Sequence, residues 1–132
     1  MIVIYVAGPY TAPDRAGTEA NIAAAAELGL RVAELGACPL VPHCLTSDPR
    51  FETVQPYEFW IDGTAELLRR SDAVIFTEDW ERSSGARGEN VLADELSIPR
   101  FYRVSDLAGW LRGQSREMDT LPAPDGGLDS CC

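Results

Sequence analysis

The stretch "IVIYVAGPYT", residues 2–11, is the clearest indication of the fold. Its first part, IVIYVAG (2–8), is an unbroken apolar run rich in β-branched residues, which predicts a strand covered on both faces. The run stops at Gly8 and Pro9, two residue types that commonly end a strand. In open α/β sheets, ligands bind just beyond the carboxyl ends of the strands. The stretch therefore predicts either a ligand site or a plain turn after the first strand.

The rest of the chain alternates between helical and strand patterns. A helical pattern over 18–36 closes on Gly36, a residue type that often ends helices. A second buried strand is predicted over 72–78, and a strand with two prolines, 38–43, is predicted near a sheet edge. Further helices are predicted at 56–71, 85–98 and 105–113, and a short strand at 99–104. Strands separated by helices of this length indicate a parallel sheet with helices on both faces.

The length of the chain fits one domain, which we expect to span residues 1–113. Ser105 is the expected N-cap of the last helix, and Gly113 its expected stop. Residues 114–132 are polar, contain Pro, Gly and acidic residues and show no periodicity, so a disordered tail is predicted there. No apolar run approaches the roughly 20 residues of a membrane span. No basic region precedes the first strand, and a cytoplasmic location is therefore expected.

Charge and cysteine content narrow the classes of function. Lys plus Arg is 11 and Asp plus Glu is 21, a net charge of −10. This balance argues against binding long nucleic acids, because they are held by basic residues that displace counterions. A single nucleotide is not excluded. The lone His43 cannot complete a zinc site and no C-x-x-C pair is present. Cys38 is expected to be buried, Cys131 and Cys132 to be exposed thiols, and no structural disulfide is expected.

The loop after the third predicted strand, "DWERSSGARGE" (79–89), carries the clearest signal of chemistry. Its small residues lead into a helix, and the backbone N–H groups at a helix N-terminus favour anions. Glu89 follows in the first or second turn, where the helix dipole and nearby N–H groups are expected to keep it ionised. A carboxylate facing a cleft is a candidate nucleophile or general base. Glu89 is equally consistent with an ordinary acidic residue near a helix start.

The loop has no G-K-[ST], and "VAGPYT" (6–11) lacks G-x-G-x-x-G, so neither nucleotide-binding fingerprint is present.

Several motifs in this order resemble the nucleoside 2-deoxyribosyltransferase-like family, in particular its small phage and bacterial branch. The motifs are "IYVAGPYT" (4–11), "ANIAAAAELGLRVAELGACPLVPH" (20–43), "WID" (60–62) and "SDAVIFTEDWERSSGARGENVLADELSIPRF" (71–101). The resemblance covers about residues 2–104. It implies a flavodoxin-like α/β fold, a three-layer sandwich with a mainly parallel sheet of four or five strands. It also implies chemistry at the anomeric carbon of a nucleoside sugar.

The resemblance implies roles for individual residues. Glu89 falls at the family's nucleophilic Glu, Tyr5 at the tyrosine that orients it, and Asp62 at an Asp that contacts the base or sugar. Gly8 lies where the backbone approaches the ligand, and Ser83 lies where the nucleotide-cleaving relatives hold a 5'-phosphate. Family members are oligomers, and the aromatic surface expected from Phe59, Trp60 and Trp110 is also typical of an interface, so a homodimer or larger is expected. No residue of the tail matches the part that a neighbouring subunit plays in the family's pocket.

Breaking an N-glycosidic bond builds positive charge on C1' and the ring oxygen. A fixed carboxylate close to C1' stabilises that charge and can trap it as an ester. Asp62 or Asp79 could assist the departing base. No cofactor or metal is required.

Tyr5 is equally consistent with simple core packing, and Asp62 with a solvent-facing position. A nucleotide-binding or sensing module without catalysis is the second hypothesis, because a fold does not determine a function. The residues expected to bind substrate are Gly8, Pro9, Tyr10, His43, Asp79, Ser83, Ser84 and Gly85.

Overall fold

The sheet has four strands, all of them parallel. The structure, a computed structural model, describes residues 1–119. The strands are β1 (Val3–Ala7), β2 (Cys38–Leu40), β3 (Ala73–Phe76) and β4 (Arg100–Phe101), in the spatial order β2-β1-β3-β4. Tyr5 of β1 lies opposite Leu40 on one side and Val74 on the other. The parallel sheet is confirmed, and β2 is an edge strand, as its prolines predict.

Helices cover both faces of the sheet. Helices α1 (Arg15–Glu34) and α6 (Val104–Asp119) pack on one face, and α4 (Tyr57–Arg69) and α5 (Ser84–Glu95) pack on the other. Successive side chains of β1 point to opposite faces of the sheet, so this strand contributes to two separate parts of the core. Ile4 and Val6 belong to the cluster under α1 and α6, whereas Tyr5 and Ala7 belong to the cluster under α4 and α5. The predicted three-layer, flavodoxin-like architecture is confirmed, and it points Tyr5 toward α4 and α5.

Helix α1 begins three residues before its predicted start because Asp14 caps it. The Asp14 carboxylate accepts a hydrogen bond from the backbone N–H of Gly17 at 2.7 Å, a standard N-cap contact. After the helix, Gly36 adopts a φ of +88°, a left-handed conformation that glycine reaches without steric cost. The predicted helix stop at Gly36 is thus confirmed.

The predicted strand 38–43 ends at Leu40, and the connection from β2 to β3 contains two short helices where the end of that strand and a loop were expected. They are α2 (Pro42–Leu45), with Pro42 at its first position, and α3 (Arg50–Val54). Each is too short to show a helical periodicity in the sequence. Helix α3 matters for function, because it forms one wall of the main cavity together with α4.

The C-terminal helix differs from the prediction at both ends. It starts at Val104, so Ser105 lies inside it, and it continues through Gly113 to Asp119. The first six residues of the predicted disordered tail are therefore helical, and residues 120–132, with Cys131 and Cys132, lie outside the described residues. Trp110 was expected to be exposed. It is half-buried against the core and contacts Phe101, with ring centroids 5.5 Å apart.

Two further observations concern the surface. Cys38, expected to be buried, is exposed, because β2 is an edge strand whose first residue turns away from the core. In residues 1–119 no helix combines the length and apolar character needed to cross a lipid bilayer.

Candidate active site

The main cavity has a volume of about 490 Å³ and lies at the carboxyl ends of β1 and β3. From β1 the chain crosses to β2 on one side, and from the neighbouring β3 it crosses to β4 on the other side. The gap between β1 and β3 is therefore the switch point at which open α/β sheets bind ligands. The volume of the cavity is in the range of small-molecule sites. A second depression, of about 690 Å³ between α1, β2 and α2, is lined almost entirely by aliphatic side chains and holds no carboxylate.

The centre of the cavity is a tyrosine–glutamate pair. Tyr5, fully buried on β1, and Glu89 of α5 both line the cavity, and each of these two side chains shifts the pKa of the other. Burial and the neighbouring Glu89 carboxylate raise the pKa of the Tyr5 phenol well above its usual range, whereas a hydrogen bond with Thr64 opposes this shift. Tyr5 therefore stays protonated and can donate to Glu89 throughout the physiological pH range.

Glu89 is less readily ionised than the sequence suggests. Burial raises the pKa of its carboxyl group to about 7, and the hydrogen bond from Tyr5 offsets only part of that shift. Glu89 is the sixth residue of α5, beyond the first turn whose free N–H groups and dipole stabilise an anion. The expectation of a fully ionised carboxylate is therefore wrong at neutral pH, where both protonation states are populated.

The start of α5 presents hydrogen-bond donors to the same cavity. The Ser83 side chain accepts a hydrogen bond from the backbone N–H of Ala86 at 3.1 Å and so caps the helix. Ser83, Ser84 and Gly85 all line the cavity. The backbone N–H groups of the first turn have no acceptor within the helix, and they can bind an anion or a polar oxygen.

The loop after β1 is held in place by His43. Nε2 of this buried ring donates to the carbonyl oxygens of Pro9 at 2.9 Å and Gly8 at 3.1 Å. Desolvation lowers the pKa of His43, although the two carbonyls oppose the shift, and its Nδ1 has no partner among the described residues. His43 is thus a neutral structural clamp, and the Tyr10 ring packs 5.7 Å from it.

Gly8 is required by the packing of the two central strands. A Cβ built on Gly8 would lie 2.4 Å from Oγ1 of Thr77, which follows β3. No side chain fits in that space unless the backbone shifts. The resemblance implies that the backbone approaches the ligand at Gly8, and the structure shows that Gly8 also packs closely against the Thr77 side chain. Gly8 also lines the cavity.

The structure brings most of the predicted site residues together. Those that line the cavity are Tyr5, Gly8, Tyr10, His43, Ser83, Ser84, Gly85 and Glu89. Pro9, Asp62 and Asp79 are not in the lining. Asp62 is exposed on α4, and the exposed Asp79 accepts a hydrogen bond from the Thr77 hydroxyl at 3.0 Å.

One wall of the cavity was not anticipated from the sequence. Four residues of α4 face inward at the i, i+3, i+4, i+7 spacing of a single helical face, namely Tyr57, Trp60, Ile61 and Thr64. Asp62 is off this face, which explains its absence from the lining. Phe51, Glu52 and Gln55 extend the wall from α3 and the residue that follows it. The spacing along α4 was visible in the sequence, but which side of the helix faced a cavity was not.

A family model described as a domain of unknown function, DUF4406, matches residues 2–102. The chain belongs to the DUF4406 family. Searches of curated proteins and of solved structures returned no match to the chain. The DUF4406 match includes all four strands and helices α1 to α5. Every cavity-lining residue therefore lies within the DUF4406 region.

Proposed function

We propose that this DUF4406 chain cleaves the N-glycosidic bond of a nucleoside or nucleotide through a covalent glycosyl–Glu89 intermediate. It would act as a nucleoside 2-deoxyribosyltransferase or as a (deoxy)nucleoside 5'-monophosphate N-glycosidase. The observation that carries this proposal is the Tyr5–Glu89 pair, which lies in a cavity of nucleoside size at the β1/β3 switch point. The motif resemblance to nucleoside 2-deoxyribosyltransferases supports the same reading.

In the first step a carboxylate oxygen of Glu89 forms a bond to C1' as the C1'–N bond breaks. The departing base takes the bonding electron pair and then a proton. In the second step water or another base attacks C1', and the C1'–O bond to Glu89 breaks to regenerate the carboxylate. An incoming water gives hydrolysis and loses its proton to solvent, whereas an incoming base gives transfer. Positive charge on the sugar in each transition state is stabilised by the carboxylate.

Tyr5 is a positioning residue in this mechanism. We propose that its hydroxyl donates to Glu89 and so orients the carboxylate, because the interaction with Tyr5 lowers the pKa of Glu89 against the effect of burial. Asp62 and Asp79 are both exposed and outside the cavity lining, so we propose that the departing base takes its proton from water.

The start of α5 suits a 5'-oxygen or a 5'-phosphate. No Arg or Lys side chain lines the cavity within the described part of the chain. Since no basic side chain is available, a phosphate would be bound by the N–H groups of Ser84 and Gly85 and by the Ser83 hydroxyl. We propose a 5'-phosphorylated substrate on this basis, drawn from the cytoplasmic nucleotide pool.

We also propose that the protein is a homodimer or larger. Several large apolar residues on α3 and α4 are exposed around the cavity, among them Val54 at 65%, Tyr57 at 71% and Phe59 at 46% exposure. A neighbouring subunit that covers this surface would bury them together.

A binding or sensing module is the second candidate. The observation that favours it is the raised pKa of Glu89, because a carboxyl group that is half protonated at neutral pH is a weaker nucleophile.

The decisive experiment incubates the protein with a panel of ribo- and deoxynucleosides and their 5'-monophosphates, with and without an added free base. Release of base supports a glycosidase, and exchange with the added base supports a transferase. Saturable binding of a nucleotide without turnover at pH 6, 7 and 8 supports the sensor. The absence of both turnover and binding would refute the proposed function.

A further inference from the structure

The cavity wall formed by α3 and α4 carries aromatic and polar groups side by side. Thr64 of α4 contacts Tyr5 and so lies close to Glu89. Trp60 is one helical turn earlier, which is about 6 Å along the axis. The Phe51 ring packs edge-on against Trp60, with centroids 5.4 Å apart. A planar base attached to a sugar at Glu89 would therefore reach this wall.

Glu52 and Gln55 are the polar side chains next to these rings. Glu52 directly follows Phe51 on α3, Gln55 directly follows that helix, and both line the cavity. Glu52 is also exposed, so its carboxylate lies at the opening of the cavity. The polar groups are thus placed to meet the edge of a base whose face lies against the aromatic wall.

The Glu52 carboxylate has no cation to neutralise it in the part of the chain that the structure describes. The nearby Arg50 is engaged by Asp48 at 2.6 Å, and none of the ion pairs within residues 1–114 involves Glu52. An ionised carboxylate can only accept hydrogen bonds. Glu52 therefore attracts ligand N–H groups and repels ligand oxygens.

We propose that Glu52 is a specificity-determining residue that selects bases with an exocyclic amino group. Cytosine N4 and adenine N6 are donors, whereas the corresponding atoms of uracil, thymine and hypoxanthine are acceptor oxygens. Guanine presents its 2-amino group as a donor. The Gln55 amide can donate or accept, so it accommodates the remaining atoms of the base edge. This inference rests on the proposed function, because it takes the cavity to hold a nucleoside or nucleotide.

The test compares kcat/KM for matched pairs of substrates, deoxycytidine with deoxyuridine and deoxyadenosine with deoxyinosine, each as nucleoside and as 5'-monophosphate. For the wild type we expect the amino member of each pair to be favoured by about tenfold to a hundredfold, the effect of one hydrogen bond to a charged group. Glu52→Gln should reduce that ratio to within about threefold of unity, because an amide can also donate to an oxygen. Glu58→Gln, on the exposed part of α4, is the matched control and should keep the wild-type ratio.

Binding measurements separate this inference from the proposed function. Titration of the same ligands into Glu89→Gln by calorimetry reports base preference without turnover. If no substrate is cleaved but amino bases bind more tightly and Glu52→Gln removes the preference, the function fails and the inference stands. If substrates are cleaved and the ratio is unchanged in Glu52→Gln, or if the keto member is favoured, the inference is overturned while the function stands. If nothing is cleaved and no ligand binds, both are overturned.

Discussion

The Tyr5 hydroxyl and the Glu89 carboxylate lie side by side across the layer between the sheet and α5, close enough for each to shift the pKa of the other. One residue comes from the first strand and the other from the fifth helix. The two side chains meet because successive side chains of β1 point to opposite faces of the sheet, and Tyr5 is on the face covered by α4 and α5. The start of α5 after Ser83 sets the rotation of that helix and so directs Glu89 toward Tyr5. Burial raises the pKa of both side chains.

Glu89→Gln removes the charge that would bond to C1' while keeping the size of the side chain. We expect turnover to fall by about 10³-fold or more, as is typical when an essential covalent group is lost. Binding of the substrate should be retained. Glu95→Gln, at the exposed end of α5, is the matched control and should have wild-type turnover. Near-wild-type cleavage by Glu89→Gln would remove Glu89 as the nucleophile.

The rate should depend on pH through Glu89. Because Glu89 must be ionised to attack, kcat/KM should rise with pH and level off above its pKa of about 7. Tyr5→Phe removes the hydrogen bond that lowers this pKa, so the midpoint of the profile should move to higher pH. The check is a pH–rate profile of both proteins. A profile unchanged by Tyr5→Phe would show that Tyr5 does not act through the ionisation of Glu89.

The same titration should affect stability. The pKa of Glu89 is raised from 4.5 to about 7 on folding, so its contribution to the free energy of unfolding is fully present below about pH 4.5 and is lost as the pH rises through 7. The full loss is at most about 3 kcal/mol. Glu89→Gln does not titrate, so its stability relative to the wild type should increase as the pH rises from 5 to 8. Thermal unfolding at several pH values measures this difference, and a difference that does not vary with pH would contradict the raised pKa.

Gly8→Ala should destabilise the fold by about 1–3 kcal/mol, because the new Cβ meets the Thr77 side chain at 2.4 Å. Thr77→Ala removes Oγ1, the nearest atom, and should recover part of this loss when the two changes are combined. Denaturant unfolding of both single variants and the double variant gives the coupling energy. Strict additivity would show that the cost of Gly8→Ala arises elsewhere.

The assembly should depend on the exposed apolar surface of α3 and α4. We expect light scattering to show a dimer or larger at micromolar concentration, and Val54→Asp, on α3, to shift it toward monomer by burying a charge in the interface. Leu30→Asp, an exposed position on α1 beyond the opposite face of the sheet, is the control and should leave the assembly intact. A monomeric wild-type protein would contradict the proposal.

The layered architecture of this protein could be predicted from its amino-acid sequence. The parallel sheet was predicted from the apolar runs 2–8 and 72–78 and the helical pattern over 18–36, and its edge strand from the prolines of 38–43. This works because the local periodicity of apolar residues indicates which segments are strands and which are helices. The sequence also placed Glu89 and Ser83 correctly after the third strand, since parallel strands gather their loops at one edge.

Which side chains share the cavity, and how readily they ionise, depends on the tertiary packing and not on the sequence pattern. The wall from α3 and α4 could not be predicted, because α3 is too short to show a periodicity and the apolar face of α4 does not reveal what it faces. Asp62 is one residue off that face and so lies in solvent, although its motif suggested a site. The pKa of Glu89 depends on how much water the surrounding elements exclude, and that is a property of packing rather than of neighbouring residues in the chain.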